Sequence, residues 1–284
     1  HKKVVFNKDQ EKAVNNIKQS LNKDMFSPIL LHGVTGSGKT EIYISAVHYC
    51  LSLKRTAIIL LPEISLTPQI AGRFKSVFGN SIALWHSKLS KSQRAWTWNQ
   101  ICNGFFQVVI GARSAIFAPL KKLGLIVIDE EQEASFRQDS PAPRYHARDV
   151  ALVRAKYEGA VAILSSATPS LESYHNYLTK KIHYLHLPKR YGKAAYPVVH
   201  LVDMLQNQEE SGKYEQVISG LLQDKIEERL TNNEQVILLQ NRRGFSPVVR
   251  CKDCGEISKC PYCNVATSFH LKTNNIMCHF CGHT

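Results

Sequence analysis

The chain has 284 residues, with 36 Lys or Arg against 23 Asp or Glu, so its formal net charge is +13. A hydrophobic content of 44% excludes a globally disordered chain, and the length predicts about two domains. The sequence has no apolar run long enough for a transmembrane helix and no secretion signal at its start. We therefore expect a cytoplasmic protein, or a piece of a longer one, without a membrane partner. The basic excess favours nucleic acid as a partner, although a solvated basic face would also explain it.

Apolar spacing predicts alternating helices and strands over residues 1–186. The first helix is expected over residues 8–21, with Asn7 and Gln10 in capping-box positions. The strands that follow are continuously apolar, as is typical of strands covered on both faces. They are predicted at residues 28–31, 56–61, 82–85, 107–110, 125–128 and 161–164. This alternation predicts a parallel α/β sheet with helices on both faces.

The pattern changes after residue 186. Residues 187–212 are rich in Lys, Pro, Gly and Gln and are predicted to be a linker. Residues 213–250 would begin a second α/β lobe, with a helix over 214–230 and a strand over 235–239, and this lobe would be incomplete. Residues 251–284 are predicted to be a separate cysteine-containing module.

A phosphate-binding loop follows the first predicted strand. Residues 33–40 match the pattern G-x-x-x-x-G-K-[ST] between a strand and a helix. Glycines let backbone N–H groups close around phosphate oxygens, and the helix N-terminus adds partial positive charge. Lys39 is expected to reach the β- and γ-phosphates, and Thr40 to hold Mg²⁺. The predicted nucleotide-binding residues are Gly33, Thr35, Gly36, Ser37, Gly38, Lys39 and Thr40; an ordinary glycine-rich turn is the alternative.

Carboxylates that end a later strand complete this site. Asp129 is expected at the magnesium ion, and Glu130 is expected to orient the attacking water. With Lys39 they are the predicted catalytic residues. A lone acidic pair after a strand would more often be a solvated loop. Residues 166–168 (Ser-Ala-Thr) end another strand, at the ligand-binding edge of the sheet or as a helix cap.

Six of the eight cysteines lie between residues 251 and 281 as three C-x-x-C pairs. Such pairs in a chain without a secretion signal are typical of zinc ligands. The predicted metal ligands are Cys251, Cys254, Cys260, Cys263, Cys278 and Cys281. The last two pairs have zinc-ribbon spacing and are assigned to one site. The first pair needs further ligands, for which His279, His283 or water are candidates, and six structural thiols are the alternative.

Together these motifs resemble motifs I, II and III of superfamily 2 helicases. More specifically, the chain is similar to the bacterial primosomal replication-restart DNA helicases. The matching segments are residues 33–41, 61–69, 111–115, 129–131, 144–149, 165–170 and 241–245, followed by the cysteine pairs. They span nearly the whole chain in the order of that family.

The resemblance implies a RecA-like helicase lobe 1, part of lobe 2 and a zinc-ribbon-like module. It implies a 3′-to-5′ DNA helicase that uses ATP, Mg²⁺ and Zn²⁺ at stalled replication forks and reloads the replicative helicase. The implied partners are forked and single-stranded DNA, primosome and replication-restart proteins, and single-stranded DNA-binding protein. The family has a fourth cysteine pair, just past the last residue here, that would complete a second zinc site.

The resemblance also implies roles for individual residues. Gln10 would read adenine, Arg113 would contact a DNA phosphate, and residues 61–69 would contact single-stranded DNA. Residues 132–148 would couple DNA contact to hydrolysis, with Arg144 and Tyr145 as candidates. Gln132 replaces the histidine that usually ends motif II in this family.

Two other functions are compatible with the motifs. One is another superfamily 2 translocase, and the other is a nucleotide- and DNA-binding module without turnover, because hydrolysis usually needs both lobes. The tryptophans Trp85, Trp96 and Trp98 could stack on bases. Core packing is the favoured interpretation, because the last two lie in a helical pattern.

Overall fold

The structure is a computed structural model that places most of the chain. The described residues are 5–62, 68–87, 89–140, 142–192, 196–204, 206, 218–239, 248–251, 254–262, 265–271, 273–279 and 282–284. The chain divides into two compact units, His1–Pro197 and Val198–Thr284. Within the described ranges, every helix is too short or too polar to cross a membrane.

A parallel sheet forms the centre of the first unit. Its strands are β1 (Ser27–Gly33), β2 (Thr56–Leu60), β3 (Ile82–Trp85), β4 (Val108–Gly111), β5 (Leu123–Asp129), β8 (Val161–Ser166) and β9 (His183–Leu187). Among the described residues these seven strands pair in the order β3-β4-β2-β5-β8-β1-β9, every pair parallel. Two short strands, β6 (Arg137–Gln138) and β7 (Tyr145–His146), form an antiparallel hairpin of their own.

Helices cover both faces of this sheet. They are α1 (Lys8–Asn22), α2 (Lys39–Ser52), α3 (Pro68–Phe78), α4 (Lys91–Cys102), α5 (Ala147–Glu158) and α6 (Leu171–Leu178). Side chains alternate between the faces of a strand. Ile29 therefore packs in a core with α1, α2 and α3, whereas Leu30 packs in a second core with α4 and α5. The predicted α/β sheet with helices on both faces is confirmed.

The edge strand β9 was not predicted. Its residues His183 and His186 are exposed, and only Leu187 is buried. A strand at the edge of a sheet is less covered by its neighbours than a central strand, so it can carry polar, exposed side chains. The other strands were predicted from continuous apolar runs, which β9 lacks. The predicted capping box of α1 is present, since Asn7 and Gln10 exchange two hydrogen bonds of 2.9 Å.

The second unit contains α7 (Gly220–Thr231) and a hairpin of β10 (Ser268–His270) and β11 (Asn275–Met277). The predicted strand over residues 235–239 is wrong, because these described residues adopt no strand. A strand needs a partner for its backbone N–H and C=O groups, and no described segment pairs with this one. Its apolar side chains are accordingly exposed, Ile237 at 95% and Leu239 at 94%.

Candidate active site

The phosphate loop joins β1 to α2 and opens on a cavity of about 640 Å³ lined by residues 35–41. Helix α2 begins at Lys39, and its N-cap, Gly38, has a φ of +82° and no side-chain capping bond. The N-terminus of α2 therefore lacks a side-chain cap, and the residues of its first turn line the cavity. An uncapped helix N-terminus behind a glycine-rich loop is an anion-binding arrangement.

The predicted catalytic residues meet in this cavity. The Lys39 ammonium is buried; it donates to the Gly33 carbonyl at 2.8 Å and lies 3.8 Å from a Glu130 carboxylate oxygen. Asp129 and Glu130 line the same cavity. They meet Lys39 because the carboxyl ends of parallel strands share one edge of the sheet.

Asp129 is held by a tyrosine from α2. The Tyr43 hydroxyl donates to Asp129 Oδ1 at 2.7 Å and also contacts Ser165 Oγ at the end of β8. Burial raises the pKa of Asp129, and the Tyr43 hydrogen bond opposes this increase. Burial also raises the pKa of Tyr43 well above its usual value, so its hydroxyl remains a donor. Tyr43 was not predicted as a site residue. Its position on the buried, otherwise apolar side of α2 indicates that its hydroxyl needs a hydrogen-bond partner inside the protein.

Glu130 adopts a strained backbone conformation beside the phosphate loop. Its φ is +49°, in the left-handed region that non-glycine residues seldom adopt. Its carboxylate accepts a 3.0 Å hydrogen bond from the Gln132 amide. Gln132 therefore holds the Glu130 carboxylate through this bond.

Glu131 lies at the centre of a buried polar network. Its side chain is fully buried and accepts hydrogen bonds from the Ser170 N–H at 2.7 Å, the Ser170 hydroxyl at 3.0 Å and the Ser173 hydroxyl at 2.9 Å. Arg148, in the first turn of α5, lies 3.3 Å from the same carboxylate. This network joins the end of β5 to α5 and α6 and holds the segment that contains the predicted catalytic carboxylates.

Residues 166–168 contact the phosphate-loop strand through a histidine. His32 Nε2 lies 3.2 Å from the Ala167 carbonyl oxygen. Because a carbonyl oxygen can only accept a hydrogen bond, Nε2 bears the hydrogen in the neutral ring. His32 Nδ1 then accepts a 2.8 Å hydrogen bond from the Tyr184 hydroxyl. Burial lowers the pKa of His32, which favours this neutral form. The Ser166 hydroxyl accepts from the Thr168 N–H at 2.8 Å, and α6 is capped instead by Ser170.

Gln10 lines the cavity and lies against the phosphate loop. It is 1% exposed, its amide oxygen accepts from the Asn7 N–H, and its amide nitrogen donates to the Ser37 carbonyl at 2.8 Å. Three further cavity-lining residues have no signal in the motifs and come from distant segments. These are Val5, Arg73 of α3, which pairs with Glu41 at the start of α2, and Tyr191.

Two of the three predicted DNA-binding residues lie together outside the cavity. Arg113 donates to the Arg137 carbonyl at 2.6 Å, and its guanidinium lies 5.8 Å from the centre of the Tyr145 ring. Arg144 is exposed at the neighbouring position on the β6–β7 hairpin. Residues 63–67 and 241–245 lie outside the described part of the chain.

The three tryptophans differ in burial, and Trp85 packs against the second core as expected. Trp96 is 55% exposed and Trp98 is 36% exposed, so the core-packing interpretation is wrong for Trp96. Helix α4 buries Thr97 and Ile101 instead, which turns its flanking tryptophans towards solvent. The rings of Trp85 and Trp98 are in contact, with centres 5.6 Å apart and planes tilted by 53°.

The three cysteine pairs begin with the same backbone turn. The N–H groups of Cys251, Cys260 and Cys278 each donate to the carbonyl five residues later, at 2.8, 2.9 and 2.7 Å. Cys260 and Cys278 are buried, whereas Cys251 and Cys254 are exposed. Cys263 and Cys281 lie outside the described residues, and the described ones contain no cluster of three or more potential metal ligands. This recurring turn and the two buried thiols fit the residues that a structural zinc would use.

Comparison with known proteins identifies the family. A family model described as DEAD/DEAH box helicase matches residues 7–177. The replication restart protein PriA of Bacillus subtilis is 42% identical over 275 residues, which are 97% of this chain and 34% of that protein. The corresponding protein of Synechocystis sp. is 44% identical over 266 residues, or 91% of this chain and 32% of that protein. The chain spans about a third of the length of these curated relatives.

Solved structures show the same fold at lower identity. The structure of RecG bound to a three-way DNA junction has a TM-score of 0.52 at 21% identity, over 69% of this chain and 25% of that one. The crystal structure of the DUF1998 helicase MrfA has a TM-score of 0.52 at 16% identity, and the match covers 85% of this chain and 37% of that one. The resemblance found in the motifs is confirmed: the chain belongs to the DEAD/DEAH box helicase family, and nearly its whole length is related to the replication restart protein PriA.

Proposed function

We propose that this chain binds and hydrolyses ATP as the first motor lobe of a DNA helicase of replication restart. The observation on which this rests is the meeting of Lys39, Asp129 and Glu130 in one cavity, at the uncapped N-terminus of α2. A buried lysine, two carboxylates and a helix N-terminus without a side-chain cap are the components that phosphoryl transfer requires.

Each of these residues has a distinct role in the proposed reaction. Lys39 and the N–H groups of α2 bind the phosphates. Thr40 and Asp129 offer the hard oxygen ligands that suit Mg²⁺, which would neutralise charge on the phosphate oxygens. Glu130, held by Gln132, orients the attacking water and accepts its proton.

The DNA-binding part of the proposal rests on Arg113, Arg144 and Tyr145. Arg113 donates to the β6–β7 hairpin, and its guanidinium lies over the Tyr145 ring, so a cation and an aromatic ring are close together. A phosphate and a stacked base of single-stranded DNA would use such a pair. The net charge of +13 favours the same partner.

The biological setting is proposed from the PriA relatives. We place the chain in the cytoplasm, in a 3′-to-5′ helicase that acts on forked DNA and reloads the replicative helicase. Its protein partners would be primosome and replication-restart proteins and single-stranded DNA-binding protein. Residues 251–284 would hold structural Zn²⁺ through the ribbon pairs, with Cys251 and Cys254 in a second site.

ATP turnover with and without forked DNA tests this function. DNA-stimulated turnover is expected in the wild-type chain and not in Lys39→Ala, because the ammonium that binds the phosphates is removed. Lys12→Ala removes the same charge from the exposed side of α1 and serves as the matched control. Unchanged nucleotide binding in Lys39→Ala would contradict the assignment of the phosphate loop.

A second candidate is a nucleotide- and DNA-binding module without turnover. It is favoured by the lining of the cavity, where the described residues include one arginine, Arg73, which is already paired with Glu41. Nucleotide binding that depends on Lys39, without turnover in the presence of DNA, would support this alternative. Stimulation by RNA rather than DNA would instead favour another superfamily 2 translocase.

A further inference from the structure

The chain that leaves β9 runs along the phosphate loop. The Val34 N–H donates to the Leu187 carbonyl at 3.2 Å, and the Tyr191 N–H donates to the Gly36 carbonyl at 2.8 Å. Leu187 is 1% exposed and lies against Gly33, where an added Cβ would come within 3.2 Å of its side chain. Two backbone hydrogen bonds, four residues apart, therefore hold this segment to the loop that is proposed to bind phosphate.

Tyr191 lies where this segment meets the cavity. It lines the same cavity as the phosphate loop and the catalytic carboxylates, and it is the one aromatic residue among the described residues that do so. It is 56% exposed, so a large planar surface is open to a ligand. Val5, 75% exposed, adds an apolar side chain to the same lining.

The other residue expected at the base, Gln10, lines the same cavity and offers an amide rather than an aromatic face. The amide oxygen of Gln10 is bonded to Asn7 and its amide nitrogen to the Ser37 carbonyl, and the side chain is buried. In these contacts Gln10 joins α1 to the phosphate loop. An amide can hydrogen-bond the edge of a base but cannot cover its face, whereas an exposed aromatic ring beside the phosphate loop is suited to stacking on that face.

We propose that Tyr191 stacks on the base of the bound nucleotide, in a binding site whose phosphate-binding part is the loop of residues 33–40. The inference rests on the proposed nucleotide binding and extends it to the base. The backbone bond from Tyr191 to Gly36 holds this residue beside the loop that is proposed to bind the phosphates. Every base has an aromatic face, so stacking does not distinguish adenine from guanine. The contact favours purines over pyrimidines because purines have the larger ring area.

Equilibrium binding of Mg-ATP and of Mg-tripolyphosphate, which has no base, separates the two parts of this site. Tyr191→Ala is expected to weaken ATP binding about 5- to 150-fold, the range for loss of one stacked base. It should leave tripolyphosphate binding within about twofold, because its backbone bond to Gly36 is kept. Tyr191→Phe should keep the affinity for ATP. Tyr157→Ala, which removes an 87% exposed ring from α5, is the matched control.

Each other outcome overturns a specific statement. If Tyr191→Ala leaves ATP binding unchanged, the ring does not stack on the base. If it weakens ATP and tripolyphosphate equally, Tyr191 acts on the phosphate loop and not on the base. A larger loss for ATP than for GTP would show base-specific reading and contradict simple stacking. If the wild-type chain binds neither ligand, the proposed function fails first, and this inference fails with it.

Hydrogen exchange gives a second, independent measurement. ATP is expected to slow exchange of the Tyr191 amide in the wild-type chain, because stacking holds the segment against Gly36. Tripolyphosphate should slow it less, because it lacks the stacked base. Equal slowing by both ligands would show that the phosphates alone order the segment, which contradicts the proposed role of the ring.

Discussion

The hydroxyl of Tyr43 donates a 2.7 Å hydrogen bond to Oδ1 of Asp129, the carboxylate proposed to hold magnesium. Tyr43 is fully buried on α2, four residues after the phosphate-loop lysine, so the two halves of the site are joined by one side chain. The hydrogen bond stabilises the ionised form of Asp129 against the burial that raises its pKa.

Tyr43→Phe is expected to make magnesium-dependent nucleotide binding more sensitive to acid. Removing the hydroxyl removes a contribution that lowers the pKa of Asp129, so the carboxylate is protonated at higher pH. A protonated Asp129 is a poor magnesium ligand. Titration of nucleotide affinity with pH should therefore show loss of binding beginning at higher pH in the variant, with little change at alkaline pH.

Tyr49→Phe is the matched control for this titration. It removes a hydroxyl from the same helix, where Tyr49 donates to Asn22 at 2.8 Å on the exposed side. Its pH profile should coincide with that of the wild-type chain. Identical profiles for Tyr43→Phe and the wild type would show that the Tyr43 bond does not affect the ionisation of Asp129.

Glu131→Ala is expected to lower the free energy of unfolding by about 3–5 kcal/mol. The change removes the buried acceptor of the Ser170 N–H and of the Ser170 and Ser173 hydroxyls, and each buried donor left without its partner costs about 1–3 kcal/mol. Arg148 keeps its ion pairs with Asp149 and Glu172. Urea unfolding measures the loss. The control is Asp139→Asn, in the exposed pair of Arg137 with Asp139, where a loss of at most about 1 kcal/mol is expected. Similar losses in both variants would contradict the importance of the buried network.

Alanine at the two phosphate-loop glycines with positive φ should destabilise the chain to different degrees. Gly36 has a φ of +77° and open space around an added Cβ, so Gly36→Ala should cost only backbone strain, about 1–2 kcal/mol. At Gly38, with a φ of +82°, the Cβ would come within 2.4 Å of the Gln10 amide nitrogen. Gly38→Ala should therefore also break the bond from Gln10 to Ser37 and cost about 1–3 kcal/mol more.

Thermal or urea unfolding of the two glycine variants measures this difference directly. Adding Gln10→Ala to each variant tests its cause. The extra loss in Gly38→Ala should disappear in the double variant, since the clashing amide is gone, so the two changes are non-additive. Equal losses for Gly36→Ala and Gly38→Ala would show that Gln10 adjusts without cost.

Local motifs were enough to predict the phosphate loop and the acidic pair. The glycine spacing around Lys39 and the apolar strand before Asp129 are each contained in a few residues. The carboxyl ends of parallel strands lie at one edge of the sheet, so these two motifs are expected to lie together. Tyr43 and the partners of Glu131 could not be predicted in this way. Their contacts depend on how separate elements meet in space, which no short pattern records.

The errors in the fold have a related cause. Strand β9 was missed because an edge strand pairs on one side and tolerates exposed polar residues. The strand predicted over residues 235–239 has a suitable apolar sequence and, among the described residues, no partner to pair with. Trp96 was assigned to the core by its helical pattern, whereas the side of α4 that faces the core was determined by Thr97 and Ile101. Periodicity predicts that a surface is buried, but not which neighbour covers it.

Removal of zinc should loosen the cysteine module and leave the first unit folded. The β10–β11 hairpin consists of two three-residue strands, too few for independent stability, so metal binding would provide its folding free energy. Amide hydrogen exchange after chelation should increase in residues 251–284 and stay slow in the parallel sheet.

Substitution of single cysteines locates the metal. Cys260→Ser, at a buried thiol in one of the repeated turns, should lower the zinc content measured by atomic absorption and speed exchange in the module. Cys102→Ser, in α4 of the first unit, should change neither quantity. A wild-type chain purified without zinc would contradict the proposed site. Unfolding of the parallel sheet in the same step as the module would show that the two units are not independently stable.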